Sequence, residues 1–534
     1  MEPIEKQRFE IEMSRQLLLG EMLARNARKF PDLEGVIFKD KRIQYRALDE
    51  RVNQLANALL SLGIGKGDSI GLLMENRQEM LEIFFAVAKI GAVNVPINIR
   101  LAPQEIAYIL NNADVKILFL GEKFIQTVQS VKGDLPLIAE HIITDSKGVG
   151  GYKLYEEVLA TGSSTLPKIR LQDDEDVFLI YTAGTTGKPK GAILTHKNLI
   201  TSAMTISLET SLALPRKNDI PFIAPKVMSV TPFFHIAGVV SIIKTMQALT
   251  PMVILDFDPV ELLKAVERER ITFLFLVPAM WLMVMNHPDF KKYDVSSLRT
   301  AAYGADVTTN ALKERILESF PNAALYEAFG QTEMSATTVY MKHQDALRKE
   351  GSVGLPLFNV EVRIVNDAME DVSVNEVGEI VYRGPGMMKG YYKNPEETRK
   401  AFEGGWFHSG DLVRRDEEGF VYVVDRKKDM IVSGGENIYS AEVESVLLTC
   451  PKIKEAAVVG IPDPKWGEAV KACVVLEPGK EATADEIITF CIENLARFKR
   501  PKSVEFMDGL PRNATGKVLK RELRNIFSAR INRI

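Results

Sequence analysis

The segment Tyr181-Thr182-Ala183-Gly184-Thr185-Thr186-Gly187-Lys188-Pro189-Lys190-Gly191 gathers three glycines, three threonine hydroxyls and two lysines in one loop. Glycine lets a backbone turn tightly and approach a ligand closely. Successive backbone N–H groups, hydroxyls and ammonium groups suit phosphate oxygens. The apolar run Val177–Ile180 before the loop reads as a buried strand, and Ala192–Leu194 after it as a second. Thr195 can then cap a helix. The arrangement is a strand–loop–strand. It is not the Walker loop, because Thr182 occupies the place of the first glycine and Pro189 the place of the final Ser or Thr. Taken alone, a Gly/Thr-rich surface turn satisfies the same residues.

Other stretches carry chemistry too. Strand Ala324–Glu327 runs into Phe329-Gly330-Gln331-Thr332-Glu333, where Glu333 offers a hard oxygen suited to Mg²⁺. Thr231-Pro232-Phe233-Phe234-His235-Ile236-Ala237-Gly238 sits at the C-terminal end of a strand, where open α/β sheets place ligands. A lone histidine among apolar residues also reads as a hydrogen-bonded core group. Ala301-Ala302-Tyr303-Gly304-Ala305-Asp306 is another strand end, whose glycine admits a flat ligand; an ordinary strand–helix turn reads the same way. Further on come His408-Ser409-Gly410-Asp411, the strand and basic turn Tyr422–Asp429, the glycine turn Ser433-Gly434-Gly435, and Pro511-Arg512-Asn513-Ala514-Thr515-Gly516-Lys517. Gly67-Asp68-Ser69-Ile70-Gly71 matches the hydrolase nucleophile pattern, but Ser69 precedes a strand instead of following one, so the match is coincidental.

In their order these stretches resemble the motifs of the adenylate-forming superfamily: acyl-CoA synthetases, adenylation domains of peptide synthetases, and luciferases. The family loop reads Tyr-Thr-Ser-Gly-Thr-Thr-Gly-x-Pro-Lys-Gly. Here Ala183 lacks the serine hydroxyl, Phe329 replaces a tyrosine and keeps only its ring, and Ser409 replaces a threonine. The resemblance covers almost the whole chain. It implies that Thr182, Ala183, Gly184, Thr185, Thr186, Gly187 and Lys190 hold phosphates, with Glu333 and Thr186 as Mg²⁺ ligands. It places the adenylate against Gly304, Ala305, Glu327, Ala328, Phe329, Gly330, Gln331 and Thr332, with Asp411 and Arg426 on the ribose. Lys517 would bridge the α-phosphate and the carboxylate. The acyl pocket would be lined by His235, Ile236, Ala237, Val277, Met280, Tyr303, Gly304 and Met334. Ser433, Gly434 and Gly435 would border a pantetheine tunnel for coenzyme A, and Lys428 would be the interdomain hinge. Lys517, Thr332, Glu333 and His235 are thus the expected catalytic residues.

The elements that must position these groups follow from periodicity. Leu48, Val52, Leu55, Leu59 and Leu62 recur at helical spacing, and strands and helices then alternate through Ile70–Met74, Gln78–Ile90, Ala92–Val95 and Val115–Leu120. Alternation resumes from Val227 to the helix after Pro278, which implies parallel sheet with crossover helices. From Val360 the texture changes to short strands and turns, and beyond Lys428 to a small α+β segment. The resemblance completes the expected fold class: α/β, with a large N-terminal domain over 1–427 that adds a distorted β-barrel to its parallel sheets, and a small mobile α+β domain over 428–534.

At 534 residues, more than one core is expected. A net charge of −4 gives no reason to expect a nucleic-acid partner. Cys450, Cys473 and Cys491 lack metal or redox spacing, which fits a reducing cytoplasm. The N-terminus is charged and has no apolar signal core. The longest uncharged apolar run, Ile271–Met285, is too short to span a bilayer, leaving peripheral membrane contact open. A monomer or homodimer is expected.

A carboxylate is a poor electrophile. Its attack on the α-phosphate of ATP gives an acyl-adenylate and releases pyrophosphate, and a thiol then displaces AMP. Bringing anions together calls for cations and oriented donors. No carrier-domain serine is visible in the chain, so coenzyme A is the expected acceptor. A separate carrier protein, a luciferase-like oxygenase reaction and a non-catalytic nucleotide sensor are the alternatives. The apolar pocket residues favour a medium or long fatty acid, with an aryl or alicyclic acid second. Lys517→Ala is expected to slow adenylation by roughly 10²–10³, the usual effect of losing one transition-state charge. Thioester formation from supplied acyl-adenylate should be spared, which single-turnover assays of the two half-reactions would compare.

Overall fold

A computed structural model of the chain describes residues 3–145, 148, 150–182, 188–213, 223–304, 308–433, 436–512 and 518–531. The chain divides into two compact units, Met1–Val362 with Tyr382–Phe407, and Arg363–Val381 with His408–Ile534.

The first unit holds two sheets. One is eight-stranded, with Asp176–Thr182, Val93–Pro96, Ser69–Leu73, Val115–Leu120, Glu140–Ile143 and Lys153–Leu154 in parallel sequence. Its other edge is antiparallel: Lys190–Thr195 pairs with Asp176–Thr182, and the short strand Gly390–Tyr391 pairs with Lys190–Thr195. The second sheet sets Glu34–Phe38, Met252–Ile254, Val227–Ser229, Phe273–Phe275, Thr300–Gly304 and Ala324–Phe329 side by side, all parallel. Antiparallel strands Lys41–Gln44 and Val339–Met341 flank that run. The expected α/β architecture is present, and the expected strands fall within a residue or two of the observed ones. The hairpin Glu34–Gln44 carries no apolar alternation strong enough to announce it.

Helix Gln78–Lys89 is buried along its whole length, so its polar groups need internal partners. Glu82 accepts from Arg51 at 2.8 Å, from Tyr155 Oη at 2.6 Å and from Gln78 at 2.7 Å. Lys89 reaches Asp49 at 2.5 Å and Asn53 at 2.6 Å. Thr195 caps helix His196–Ala213 as its sequence suggests: its Oγ1 accepts from Asn198 N at 3.1 Å. Ser69 opens its strand and is buried, which leaves no nucleophile there. Among the described residues no helix is long and apolar enough to cross a membrane.

In the second unit, strands Phe407–Arg415 and Val421–Arg426 form an antiparallel pair with Asp411 opposite Arg426. Beyond them a five-stranded sheet carries helices Ser440–Leu448, Ala484–Asn494 and Lys520–Ile531. Two apolar clusters form its core, one including Val443, Leu447, Val458 and Ile487, the other Val459, Leu523 and Phe527. Cys450 and Cys491 lie in the first cluster and Cys473 in the second, all as buried free thiols. The buried Asp425 carboxylate accepts from Ser440 N at 2.5 Å, Ser440 Oγ at 2.7 Å and Ala441 N at 3.4 Å, so it caps the helix that begins at Ser440. Lys520 adds a bond to Ser440 Oγ at 2.6 Å and an ion pair with Glu444 at 2.7 Å.

Within the first unit, Glu327 faces Tyr303 across the parallel strands, and its carboxylate lies 3.9 Å from the fully buried Lys313 ammonium. Burial raises the Glu327 pKa to about 7, against the opposing pull of Lys313 and Tyr303. The folded protein therefore keeps a proton that the unfolded chain, with a pKa of 4.5, gives up first. The stability this proton brings is full below the unfolded pKa and is lost as pH rises through about 7. Relative to Glu327→Gln, the wild-type melting temperature is expected to fall progressively between about pH 5 and about pH 8, as differential scanning fluorimetry at constant ionic strength would show.

Candidate active site

Two hydroxyls from different segments of the first unit meet on one carboxylate oxygen. Thr182 Oγ1, at the end of the first hairpin strand, donates to Glu333 Oε1 at 3.2 Å. Tyr391 Oη donates to the same oxygen at 3.0 Å. Glu333 is only 8% exposed, and among the described residues its Oε2 has no hydrogen-bond partner. Glu333 belongs to the tight turn Thr332–Met334, which follows strand Ala324–Phe329. Ser335 behind it is left-handed at φ 54°, and its strain is held by two bonds. Its hydroxyl donates to Gly386 O at 2.7 Å, and its carbonyl accepts from Ser202 at 2.6 Å.

The hairpin ends on the register pair Thr182 and Lys190 among the described residues. Residues 183–187, five of the expected phosphate contacts including Thr186, lie outside the described residues, as do Ala305, Gly434, Gly435 and Lys517. The stems of the hairpin are braced: Tyr181 Oη donates to Asn112 at 2.6 Å, Tyr108 Oη to Pro189 O at 3.4 Å, and Lys188 sits 5.3 Å from the Tyr108 ring centroid. Lys190 forms an ion pair with Glu397 and lies 5.1 Å from the Tyr391 ring centroid. Its charge is already balanced, so a phosphate contact requires that pair to be shared or broken. Glu397 belongs to the first turn of helix Pro395–Ala401, capped by Asn394, whose Oδ1 accepts from Glu397 N at 3.2 Å.

Segment 388–398 thus straps the hairpin to the Glu333 turn. Met388 N donates to Glu333 O at 2.8 Å, Lys389 N to Ile193 O at 3.0 Å, and Tyr392 N to Gly191 O at 2.8 Å. Neither Tyr391 nor Glu397 stood out in the sequence. The usable signal was Asn394-Pro395-Glu396-Glu397, a helix-start signature placed directly after two tyrosines.

The C-terminal ends of neighbouring parallel strands bring the remaining expected residues to one edge of the second sheet. From Val227–Ser229 comes the loop with His235, braced by Asn76, which accepts from Phe233 N at 2.7 Å and donates to Thr231 O at 2.9 Å. His235 is exposed and caps helix Ile236–Gln247, accepting from Ala237 N at 3.4 Å. From Phe273–Phe275 come Val277, the cap of helix Pro278–Met285, and Met280 within it, both half-buried. Tyr303 and Gly304 end the next strand; a Cβ on Gly304 would stand 2.3 Å from Ala328 O, so the close approach of these strands requires glycine. Ala328, Phe329 and Gln331 are partly exposed, Gly330 is exposed, and Thr332 and Met334 are buried. Glu327 is buried near the Lys313 ammonium, and Tyr303 is buried opposite Glu327 on the neighbouring strand.

In the second unit, Asp411 is 3% exposed and its Oδ1 receives Arg426 Nε at 2.6 Å. Ser409 Oγ accepts from Asp411 N at 2.9 Å and donates to Ile380 O at 2.5 Å, so the retained hydroxyl fixes the bend. Glu379 gathers Gly410 N at 3.0 Å and Lys427 Nζ at 3.2 Å. Lys428 is exposed just past this strand pair, and Ser433 pairs with Gly467.

Comparison with known proteins identifies the family. The family described as AMP-binding enzyme matches residues 23–392, and the AMP-binding enzyme C-terminal domain matches 442–517. The chain belongs to the AMP-binding enzyme family. It is similar to a feruloyl-CoA synthase of Amycolatopsis sp, 37% identical over 511 residues, covering 95% of this chain and 99% of that protein. It is also similar to the long-chain-fatty-acid–CoA ligase FadD13 of Mycobacterium tuberculosis, 34% identical, covering 96% of this chain and 99% of that one. Among solved structures, the o-succinylbenzoate CoA synthetase of Bacillus subtilis with its acyl-adenylate intermediate superposes with a TM-score of 0.82 at 29% identity, over 94% of this chain and 97% of that one. The protein is an AMP-forming acid–thiol ligase that works through an acyl-adenylate, with ATP, Mg²⁺ and coenzyme A.

The described residues fit a metal that arrives with its nucleotide. No group of three or more His, Cys, Asp or Glu among them could hold a metal alone. Mg²⁺ commonly takes one or two carboxylates plus substrate phosphates, and Glu333 Oε2, which has no hydrogen-bond partner among the described residues, would be the carboxylate oxygen to hold it. The Lys190–Glu397 pair is largely shielded from solvent, at 11% and 19% side-chain exposure. A double-mutant cycle of Lys190→Met and Glu397→Gln, read by urea unfolding, is expected to return a coupling of about 0.5–3 kcal/mol, as for residues in one ion pair.

Proposed function

We propose that this ligase activates an apolar monocarboxylic acid, with a medium or long fatty acid as its principal substrate. What supports this is that the residues expected to line the acyl pocket, Ile236, Ala237, Val277, Met280 and Met334, are all apolar. Segments 231–237, 277–283 and 329–336 contain no lysine or arginine to pair with a second carboxylate. An aryl acid is the second reading, favoured by the similarity to a feruloyl-CoA synthase.

In this proposal Glu333 and Thr186 hold Mg²⁺, which neutralises the triphosphate while the hairpin residues Thr182–Gly187 hold its oxygens. Gly304, Ala305, Glu327, Ala328, Phe329, Gly330 and Gln331 border the adenylate, and Thr332 donates to the α-phosphate. Asp411, oriented by Arg426, accepts from the ribose hydroxyls. Lys517 holds the acid's carboxylate against the α-phosphate, so the attack becomes effectively intramolecular. His235 lies beside the acyl carbonyl. The chain on either side of Lys428 then reorients, and Ser433, Gly434 and Gly435 admit the pantetheine thiol, which displaces AMP. The functional boundary of this motion lies between residues 427 and 428.

The test is CoA-dependent AMP release across straight-chain acids of increasing length, cinnamic and benzoic acids, and dicarboxylates. The highest kcat/KM is expected for medium or long chains. A maximum on cinnamic acids would transfer the assignment to the aryl reading. A maximum on a dicarboxylate would refute the apolar pocket itself.

A further inference from the structure

We infer that Tyr391 is a positioning residue for the metal-binding carboxylate: its phenol, with the Thr182 hydroxyl, holds Glu333 Oε1 and thereby reserves Oε2 for the ion. The inference rests on the reading of Glu333 as a Mg²⁺ ligand.

A glutamate side chain has several rotatable bonds, and a carboxylate free to turn offers either oxygen in many directions. Here both hydroxyl donors converge on one oxygen, at 3.0 and 3.2 Å, and the other has no partner among the described residues. The phenol is itself fixed from two sides. Its backbone pairs with Ala192 on the second hairpin strand, and Tyr391 N donates to Thr398 Oγ1 at 2.9 Å. Its ring faces the Lys190 ammonium, which Glu397 anchors.

The backbone of the Glu333 turn is held independently. Met388 N donates to Glu333 O at 2.8 Å, and Ser335 is tied to Gly386 and Ser202. Removing the phenolic oxygen therefore changes the orientation of the carboxylate and leaves the chain path as it is. Hydrogen-bond partners of metal ligands behave in this way: their loss typically weakens metal binding by about 10–100-fold.

Tyr391→Phe separates these effects. Mn²⁺ binding is titrated by electron paramagnetic resonance on the full chain with a non-hydrolysable ATP analogue. The Mg²⁺ dependence of pyrophosphate exchange and the KM for the acid are measured alongside. The expected result is an Mn²⁺ affinity weakened by about 10–100-fold, a parallel rise in the half-saturating Mg²⁺, an unchanged acid KM, and recovery of most exchange activity at saturating Mg²⁺. Glu333→Gln is the reference. If it loses Mn²⁺ affinity while Tyr391→Phe keeps the wild-type value, the positioning role is overturned and Glu333 remains the ligand. If neither variant changes Mn²⁺ affinity, the Glu333 assignment fails and the inference fails with it. Should Tyr391→Phe melt early, the titration is run below its melting temperature, where a wild-type Mn²⁺ affinity overturns the inference equally.

Discussion

A carboxylate taken out of water is unfavourable unless something offsets it. Two carboxylates, Glu333 and Glu397, sit in segments that converge on the hairpin, and the structure treats them oppositely. Glu397 is neutralised by Lys190, which makes that corner an internal brace. Glu333 accepts only from neutral hydroxyls among the described residues, in a place that is nearly closed to water. Attraction between opposite charges is far stronger in such surroundings than in bulk water. That imbalance is the feature on which the rest of the first unit depends. Segment 388–398 is anchored by backbone hydrogen bonds to both the hairpin and the Glu333 turn, and the hairpin meets that turn through the Thr182 side chain.

The same logic of close approach shapes the sheet edge. Gly304 lets two parallel strands draw together so tightly that a methyl group would collide with Ala328 O. Gly238 does the same for the turn beneath His235, where a Cβ would fall 2.3 Å from Pro232 O. In both places the glycine serves the protein's own backbone first. The apolar side chains at this edge then follow from the strand ends that carry them, because parallel neighbours present their C-terminal loops on one side.

Much of this was legible in the sequence, and the reasons differ by element. Parallel strands such as Val115–Leu120 were visible because, apart from the exposed Lys116, the run is apolar and buried. The glycine-rich hairpin and the Thr332–Glu333 turn were visible because phosphate and metal chemistry narrows the choice of residues. Tyr391 was not, because its backbone belongs to a two-residue edge strand, too short to leave a periodic signal. Lys190 resembled a phosphate contact because the loop pattern implies one, whereas its partner Glu397 lies some two hundred residues away in a helix without a distinctive apolar face. Glu327 and Tyr303 sat inside recognisable motifs, yet the burial of Glu327 near Lys313 depends on the helix Asn310–Ser319 packed behind them. Pairings at such separation are set by tertiary structure.

The cap on the helix at Ser440 has a consequence for timing. Asp425 precedes Lys428 in the chain and Ser440 follows it, so the carboxylate and the amides it holds lie on opposite sides of that residue. A backbone rotation at Lys428 that carries the helix away from the strand must pull the carboxylate off three donors before any new contact forms. Hydrogen bonds to a charged group contribute about 1.5–3 kcal/mol each, and water recovers only part of that during the movement. In the proposed cycle the interaction would then act as a kinetic latch, setting how long the chain dwells in one arrangement.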